Sequence, residues 1–208
     1  GLTEAEYVEV CAKLDQAEGV AAIELNVSCP NVDQGGMIIG TNPRALEQIT
    51  AASREATRLP LIVKLSPNGT DIKVMARAAA AGGADISSLI NTYVGMAIDV
   101  ERRRPVLARI SGGLSGPAIR PLAVWLTWQV SQTVDLPLIG IGGIMEARDA
   151  LEFILAGASA IQVGTANFVY PDSAIRVLRG LESYLIEHDL GSIGELVGGL
   201  ETAPAGSP

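Results

Sequence analysis

The sequence is short of cysteine, histidine and basic residues, and each shortage excludes a class of protein. Cys11 and Cys29 are the two cysteines among 208 residues, too few for a disulfide framework. His188 is the single histidine, so the common zinc ligand sets are missing and we expect no bound metal. The 15 Lys and Arg against 23 Asp and Glu give a net charge of −8. We therefore expect no nucleic acid partner and no anionic membrane partner.

Long apolar runs are also missing. No run reaches the roughly 18 to 20 residues of a membrane span, and the first residues, GLTEAEYVEVC, lack the basic and apolar regions of an export signal. We expect a cytoplasmic location. Because 48% of the residues are hydrophobic, the chain is too apolar for intrinsic disorder and is expected to fold around a packed core.

Five short apolar runs alternate with segments of helical periodicity, which is typical of parallel β/α units. The runs are predicted to be strands buried on both faces and cover 21–27, 61–65, 86–90, 138–141 and 160–163. Predicted helices cover 3–16, 43–57, 71–81, 117–133, 146–156, 173–188 and 192–197. Helix start signals include Asn42-Pro43, Thr70-Asp71 and Gly116-Pro117. A doubly wound sheet and a TIM barrel both fit this pattern.

Five β/α units are three fewer than a closed barrel contains, so we expect a piece of a longer protein. The long connection 96–113 is interpreted as a loop insertion with short strands near 98–100 and 105–107, of the kind that often covers an active site. The tail 201–208 is expected to be flexible. Structural roles are assigned to Cys11 on a buried helix face, to His188 at a helix end, to Trp125 and Trp128 in the core or an interface, and to the solvated run 102–104.

The segment 26–31, NVSCPN, follows the first predicted strand and combines two carboxamides, a hydroxyl and a thiol. Carboxamides suit a planar ligand with amide edges, and a thiol in a loop can serve as a nucleophile or a base. Cys29 could instead be an ordinary small residue before the turn-forming Pro30, but its position at a strand end favours function. Paired glycines in 33–37 could hinge a lid over Cys29 or form a plain turn.

Lys64 lies inside the apolar run LIVKL, where an ammonium group is costly without an anionic or ligand partner. It could form a Schiff base, as in barrel aldolases, or lie beside an electron-accepting cofactor ring. It could also extend from the strand end into water. Asn91 and Thr92 place another carboxamide and hydroxyl at the end of the third strand.

Three glycine-bearing loops, 111–117, 140–144 and 164–167, lead into predicted helices or turns. Glycine lets backbone N–H groups approach a phosphate, and a following helix adds partial positive charge. Barrels often bind phosphate with the loops after their last two strands. The three loops together therefore predict a phosphorylated cofactor or substrate.

Six ordered motifs carry a resemblance to a known family. They are NVSCPN at 26–31, VKLSPN at 63–68, SLINT at 88–92, GGLSGPA at 112–118, GGI at 142–144 and QVGTAN at 162–167. Together they resemble the class 1 dihydroorotate dehydrogenases, most of all the NAD-linked B type, over about residues 3 to 200. The resemblance implies a (β/α)8 TIM barrel with FMN at its C-terminal rim, of which residues 1–200 are the last five units of a single domain.

The resemblance also implies roles for individual residues. Cys29 is implied as the base that removes the C5 proton of dihydroorotate while a hydride passes from C6 to FMN. Asn26, Asn91 and Thr92 are implied to bind the substrate, and no Schiff base forms. The implied flavin contacts are Asn26, Lys64, Ile90, Gly116, Gly142, Gly143, Gly164 and Thr165.

The B type implies an electron-transfer partner subunit with FAD and a [2Fe–2S] cluster that reduces NAD, in a heterotetramer containing a homodimer of this chain. Two cysteines cannot supply the four thiolates of such a cluster. Alternatives are the fumarate-using A type, in which serine is expected at Thr92, and the related domain of dihydropyrimidine dehydrogenase, which usually has histidine at Asn31. A non-catalytic FMN-binding fragment is a further alternative.

Overall fold

The computed structural model describes residues 3–27, 40–69 and 71–202. The helices in these ranges are α1 (Glu4–Asp15), α2 (Pro43–Glu55), α3 (Ile72–Ala81), α4 (Arg120–Ser131), α5 (Ala147–Leu155), α6 (Ala166–Val169) and α7 (Ser173–Glu187). The strands are β1 (Ile23–Asn26), β2 (Leu61–Leu65), β3 (Ile86–Leu89), β4 (Tyr93–Gly95), β5 (Ile98–Asp99), β6 (Arg104–Pro105), β7 (Gly112–Leu114), β8 (Leu138–Ile141) and β9 (Ala160–Gln162). Short 3-10 helices cover Pro117–Ile119 and Ile193–Leu196.

The five predicted strands form one parallel sheet in the order β1-β2-β3-β8-β9. Each strand therefore pairs with the next one along the chain, whereas a doubly wound sheet reverses its order at a switch point. Right-handed crossovers in one direction place every connecting helix on the same face. This arrangement is five consecutive units of a (β/α) barrel, so the sheet order decides between the two predicted folds.

Local sequence signals explain where the helices begin. The side chain of Asn42 accepts hydrogen bonds from the backbone N–H groups of Arg44 and Ala45, at 3.0 and 3.3 Å, before Pro43 opens α2. Asp71 caps α3 in the same way, accepting from Lys73 N at 2.9 Å. These caps satisfy backbone donors that the first helical turn leaves unpaired. The predicted start signals at Asn42-Pro43 and Asp71 are confirmed, and Gly116-Pro117 precedes the 3-10 helix Pro117–Ile119 that leads into α4.

The core lies between the sheet and its helices. Leu61, Val63 and Leu65 of β2 are buried against the helical layer, whereas Ile62 and Lys64 between them are partly exposed on the inner face. The prediction of strands buried on both faces was therefore wrong for β2, whereas the consecutive residues Ser87, Ser88 and Leu89 of β3 are all buried, as predicted. Helices cover the outer face closely, but the inner face of the five strands borders a cavity. Alternate side chains of each strand consequently point into that interior.

The connection between β3 and α4 contains two small antiparallel ladders. β5 pairs with β6, which confirms the predicted short strands within one or two residues, and the run 102–104 is exposed as predicted. The pairing of β4 with β7 was not predicted from the sequence. This second ladder closes the base of the insertion and holds it against the carboxyl end of β3.

The residues assigned structural roles divide into two groups. Cys11 is buried in α1, and His188 ends α7 with its ring stacked on Tyr184. Trp125 stacks on Trp128 with ring centroids 5.2 Å apart but is 53% exposed, so of the two predicted places, core or interface, the core is excluded for Trp125. Within the described ranges, no helix combines the length and apolarity needed to cross a bilayer.

Close packing of β8 on α5 makes a glycine necessary at position 140. A Cβ atom there would lie 2.5 Å from Cδ1 of the fully buried Phe153. We expect Gly140→Ala to lower the free energy of unfolding by about 1–3 kcal/mol through overpacking, measured by urea denaturation. Gly194→Ala is the control, because its Cβ would have only an ordinary 3.4 Å contact with Ser192 Oγ. Equal stability of the two variants would contradict this account.

Candidate functional site

A cavity of about 300 Å³ opens at the carboxyl ends of the parallel strands. It is bordered by strand β2 and by the loops after β3, β7, β8 and β9, because parallel strands deliver the loops that follow them to one rim. Nine of the ten predicted cofactor and substrate residues in the described ranges line it: Lys64, Ile90, Asn91, Thr92, Gly116, Gly142, Gly143, Gly164 and Thr165. The tenth, Asn26, contacts one of them. The structure thus brings the predicted residues of five separate segments to one place.

Lys64 enters the cavity from the inner face of β2 and is paired with a carboxylate. Its Nζ lies 3.1 Å from Oε1 of Glu24, and both side chains are at least three-quarters buried. Glu24 also accepts hydrogen bonds from Ser88 Oγ at 3.0 Å and from Gln162 Nε2 at 2.8 Å. Side chains from β1, β2, β3 and β9 therefore form one polar network inside the sheet, which offsets the cost of burying the ammonium group.

The pKa of Glu24 is the result of opposing effects. Burial raises the pKa of this carboxyl, but the hydrogen bond from Gln162, the charge and hydrogen bond of Lys64 and the hydrogen bond from Ser88 together bring it below its ordinary value. Glu24 is accordingly a carboxylate at neutral pH. The interior of the sheet holds a formed ion pair at the edge of the cavity.

Asn26 and Asn91 orient each other at the rim. Asn91 Nδ2 donates to Asn26 Oδ1 at 2.9 Å, and Asn91 Oδ1 accepts from the backbone N–H of Thr92 at 2.8 Å. The backbone oxygen of Asn26 accepts from the hydroxyl of Tyr7 at 2.7 Å. Two carboxamides are thereby fixed next to Lys64, since Asn26 and Lys64 are register partners in adjacent strands.

Thr92 is held from two sides. Asn68 Nδ2 donates to the backbone oxygen of Thr92 at 2.8 Å, and Asn68 Oδ1 accepts from Val94 N at 3.0 Å. On its other side, Thr92 packs so closely against Gly113 that any Cβ at Gly113 would overlap the threonine hydroxyl. The loop after β3 is consequently fastened to the loop after β2 and to strand β7.

The glycine loops meet backbone to backbone. Gly116, Gly142 and Gly143 all have positive φ, at 88°, 137° and 81°, a region that side chains disfavour. A Cβ at Gly143 would lie 2.7 Å from the carbonyl oxygen of Gly116. Thr165 Oγ1 donates to Ser115 Oγ at 2.7 Å, which joins the third loop to the first.

Gly164 differs from the other cavity glycines. Its φ is not positive, and a Cβ there would meet only Cδ1 of Ile141, at 3.9 Å. Neither backbone conformation nor packing among the described residues therefore requires a glycine, although Gly164 lines the cavity. A site where the backbone must come close to a ligand has this property.

A buried carboxylate supports the loop between β8 and α5. Asp149 accepts hydrogen bonds from the backbone N–H groups of Met145 and Glu146, at 2.8 and 3.1 Å, and is paired with Arg120. Arg120 also lies 3.3 Å from Glu152. Because Arg120 begins α4, these contacts lock the glycine loop after β8 against the start of that helix.

Several residues that support the site were not predicted from the sequence. Glu24 and Gln162 interrupt apolar runs, the same signal that singled out Lys64. Asn68 lies within the VKLSPN motif but received no role. Asp149 stands three residues after Glu146, the spacing of a capping box, which the structure contains.

Cys29 lies outside the described residues, together with the rest of 28–39. Its chain neighbour Val27 is buried just beyond β1, at the same rim as Asn26. Within the ranges described, no group of three or more His, Cys, Asp or Glu side chains is placed to hold a metal ion.

Comparison with known proteins identifies the family. The family model described as dihydroorotate dehydrogenase matches residues 1–185. The chain belongs to the dihydroorotate dehydrogenase family. It is 58% identical over 201 residues to a protein of Citrifermentans bemidjiense, and 59% identical over 201 residues to one of a Geobacter species, strain M21. Both relatives are named dihydroorotate dehydrogenase B (NAD(+)), catalytic subunit.

The chain corresponds to part of these family members. Each alignment covers 97% of this chain but 66% of the relative's length. A crystal structure of the dihydroorotate dehydrogenase of Eimeria tenella in complex with ferulenol matches with a TM-score of 0.80 at 23% identity, covering 94% of this chain and 57% of that one. This likeness shows the common fold. The predicted TIM-barrel class and family are confirmed.

The lowered pKa of Glu24 predicts a pH-dependent contribution to the stability of this chain. A carboxyl whose folded-state pKa lies below its unfolded value stabilises the fold above the unfolded pKa, and this contribution is lost as pH falls through the folded pKa. Glu24→Gln should therefore lose less stability than the wild type between about pH 6 and about pH 3. Urea denaturation across that range measures the difference. Parallel pH profiles for the two proteins would contradict the assignment.

Proposed function

We propose that this chain is the FMN- and substrate-binding part of an NAD-linked dihydroorotate dehydrogenase, which oxidises (S)-dihydroorotate to orotate in pyrimidine synthesis. The observation that carries the proposal is the convergence of nine predicted residues from five segments on one cavity. The names of the relatives support the same activity. Residues 1–200 would form the C-terminal part of one FMN-binding domain and 201–208 its tail, of which 203–208 lie outside the described residues.

The cavity has the features that a flavin phosphate and ring require. Glycine at position 164 leaves space that packing does not fill, and the neighbouring glycine loops present backbone groups and the paired hydroxyls of Ser115 and Thr165. Lys64 offers a fixed positive charge for the ring. In this proposal the flavin is held by Asn26, Lys64, Ile90, Gly116, Gly142, Gly143, Gly164 and Thr165. When bound, FMN supplies the acceptor for the hydride that leaves the substrate.

The substrate would lie at the Asn26–Asn91 side of the cavity. Dihydroorotate carries a carboxylate and ring amides, and carboxamide side chains both donate to and accept from such groups. The hydrogen bonds among Asn26, Asn91 and Thr92 set the direction of each polar atom before a ligand arrives. Preorganised groups of this kind orient a ligand at a low entropic cost.

Cys29 is proposed as the base. Its Sγ, as thiolate, takes the C5 proton of dihydroorotate while the hydride leaves C6, so that a C5–C6 double bond forms. Cys29 follows the last residue of β1 by three positions in the sequence. A base must come within hydrogen-bonding distance of the proton it removes.

Electrons would leave through a partner subunit that carries FAD and a [2Fe–2S] cluster and reduces NAD. The support is the NAD-linked name of the relatives and the two cysteines of this chain, against the four thiolates such a cluster needs. The proposed assembly is a heterotetramer that contains a homodimer of this subunit.

A visible spectrum tests the proposed function directly. The protein is expressed at the full length of its relatives, and spectra are recorded anaerobically before and after addition of dihydroorotate. We expect a flavin band that bleaches on addition. A yellow protein that dihydroorotate does not bleach would contradict the substrate, and a colourless protein would contradict the cofactor.

Substitutions at Cys29 separate proton removal from flavin binding. We expect Cys29→Ala to abolish flavin bleaching by dihydroorotate while FMN remains bound, because the thiol acts on the substrate. Cys29→Ser should retain weak activity that rises with pH, since an alcohol is a poorer base at neutral pH. Stopped-flow flavin absorbance measures the rate. Loss of flavin in both variants would indicate a structural role instead.

A substitution at Gly164 tests whether this residue belongs to the proposed FMN site. We expect Gly164→Val to weaken FMN binding at least tenfold, about 1.4 kcal/mol, because its side chain projects where the backbone must approach the ligand. Flavin fluorescence during titration of the apoprotein measures the affinity. Gly194→Val, in an exposed 3-10 helix, is the matched control. Equal FMN affinity for both variants would remove Gly164 from the proposed site.

A further inference from the structure

Glu24 holds the cavity lysine from within the sheet. It belongs to β1, two residues before Asn26, and therefore lies on the same inner face but one step further from the rim. Its Oε1 contacts Lys64 Nζ at 3.1 Å and Ser88 Oγ at 3.0 Å, and its Oε2 accepts from Gln162 Nε2 at 2.8 Å. Three strands thus fix the carboxylate, and the carboxylate in turn fixes the ammonium group.

Lys64 links this network to the cavity. The same side chain that pairs with Glu24 lines the cavity between the loops after β3 and β9. A lysine side chain has four rotatable bonds, and its ammonium group would otherwise sample many positions. The position of Glu24 therefore determines where the positive charge stands relative to a molecule in the cavity.

We propose that Glu24 is a positioning residue that sets both the location and the effective charge of Lys64, and through them the reduction potential of the bound flavin. The inference rests on the proposed function, because it takes FMN as the molecule in the cavity. The carboxylate 3.1 Å from Nζ offsets much of the positive field of Lys64 at the ring, since opposite charges at short range in a low-dielectric interior compensate each other.

The direction of the effect follows from electrostatics. Reduction adds electron density to the flavin, which a nearby positive charge stabilises. Glu24→Gln removes the compensating negative charge and keeps the side-chain size, while one of the two acceptor oxygens becomes an NH2 donor. The variant should therefore bind reduced flavin more tightly relative to oxidised flavin, and the midpoint potential should rise.

The experiment is a redox titration of the full-length flavoprotein against reference dyes. For Glu24→Gln we expect the ratio of reduced-flavin to oxidised-flavin affinity to increase at least tenfold, an upward shift of about 30 mV for a two-electron couple. The control is Glu9→Gln, which makes the same charge change in the exposed Lys13 pair of α1, and its potential should match the wild type. In a protein that also carries Lys64→Met, the change in midpoint potential caused by Glu24→Gln should be less than half of the change seen with Lys64 in place.

The outcomes separate this inference from the proposed function. An unchanged potential in Glu24→Gln, with flavin still bound, overturns the inference and leaves the proposed activity standing. Flavin that is not reduced by dihydroorotate contradicts the proposed substrate, but the dye titration still decides the role of Glu24. A protein that binds no flavin overturns both.

A second variant covers loss of folding. Glu24→Asp retains the charge but withdraws the carboxylate from Nζ by one methylene group. If Glu24→Gln does not fold, the midpoint potential of the Glu24→Asp variant tests the inference instead. A smaller upward shift supports the inference, and an unchanged potential rejects it. A purely structural role for Glu24 predicts lower thermal stability in these variants with no change in potential.

Discussion

Parallel pairing in chain order is the constraint on which the rest of the structure depends. Because β1, β2, β3, β8 and β9 run in one direction and each pairs with its successor, every connecting helix lies outside and every following loop lies at one rim. Residues far apart in sequence, such as Asn26 and Asn91, become hydrogen-bonded neighbours only through this arrangement. The order and direction of the strands therefore determine where the cavity lies, whichever side chains line it.

The same topology creates a problem that polar pairing resolves. The inner faces of the strands carry Glu24, Lys64, Ser88 and Gln162, and each would be costly to bury alone. Together they satisfy one another across four strands. A network of this kind is stable only while every member keeps its partners, since the loss of one member leaves a charge or a donor unpaired. The interior is therefore more specific in its geometry than an apolar interior would be.

Strand positions could be predicted from the sequence because each strand is a short apolar run bounded by polar or glycine residues. The choice between barrel and doubly wound sheet could not be made, because strand order depends on non-local pairing that β/α alternation leaves open. The β4–β7 ladder escaped prediction because Gly112 and Gly113 give a three-residue strand no hydrophobic periodicity. The choice between core and interface for Trp125 could not be made, because helical spacing does not say which face meets the sheet.

The site was predicted unevenly for physical reasons. Lys64 drew notice as a charge within an apolar run, and its partner Glu24 met the same criterion but lies before a more conspicuous polar segment. Asp149 acts through two backbone N–H groups and Arg120, contacts that exist only once the loop has folded. Sequence patterns therefore found residues that face a ligand more readily than those that hold them in place.

The interlocked glycine loops limit how this cavity can diverge. Position 143 faces the carbonyl oxygen of Gly116, and position 142 faces Ala123, at distances that leave no space for a methyl group. A single substitution of either glycine would place a side chain where its neighbours already lie, so the part of the cavity that these glycines form is fixed. Among the described residues, changes in ligand preference are open where side chains rather than glycine backbone form the wall, as at Asn91 and Thr92.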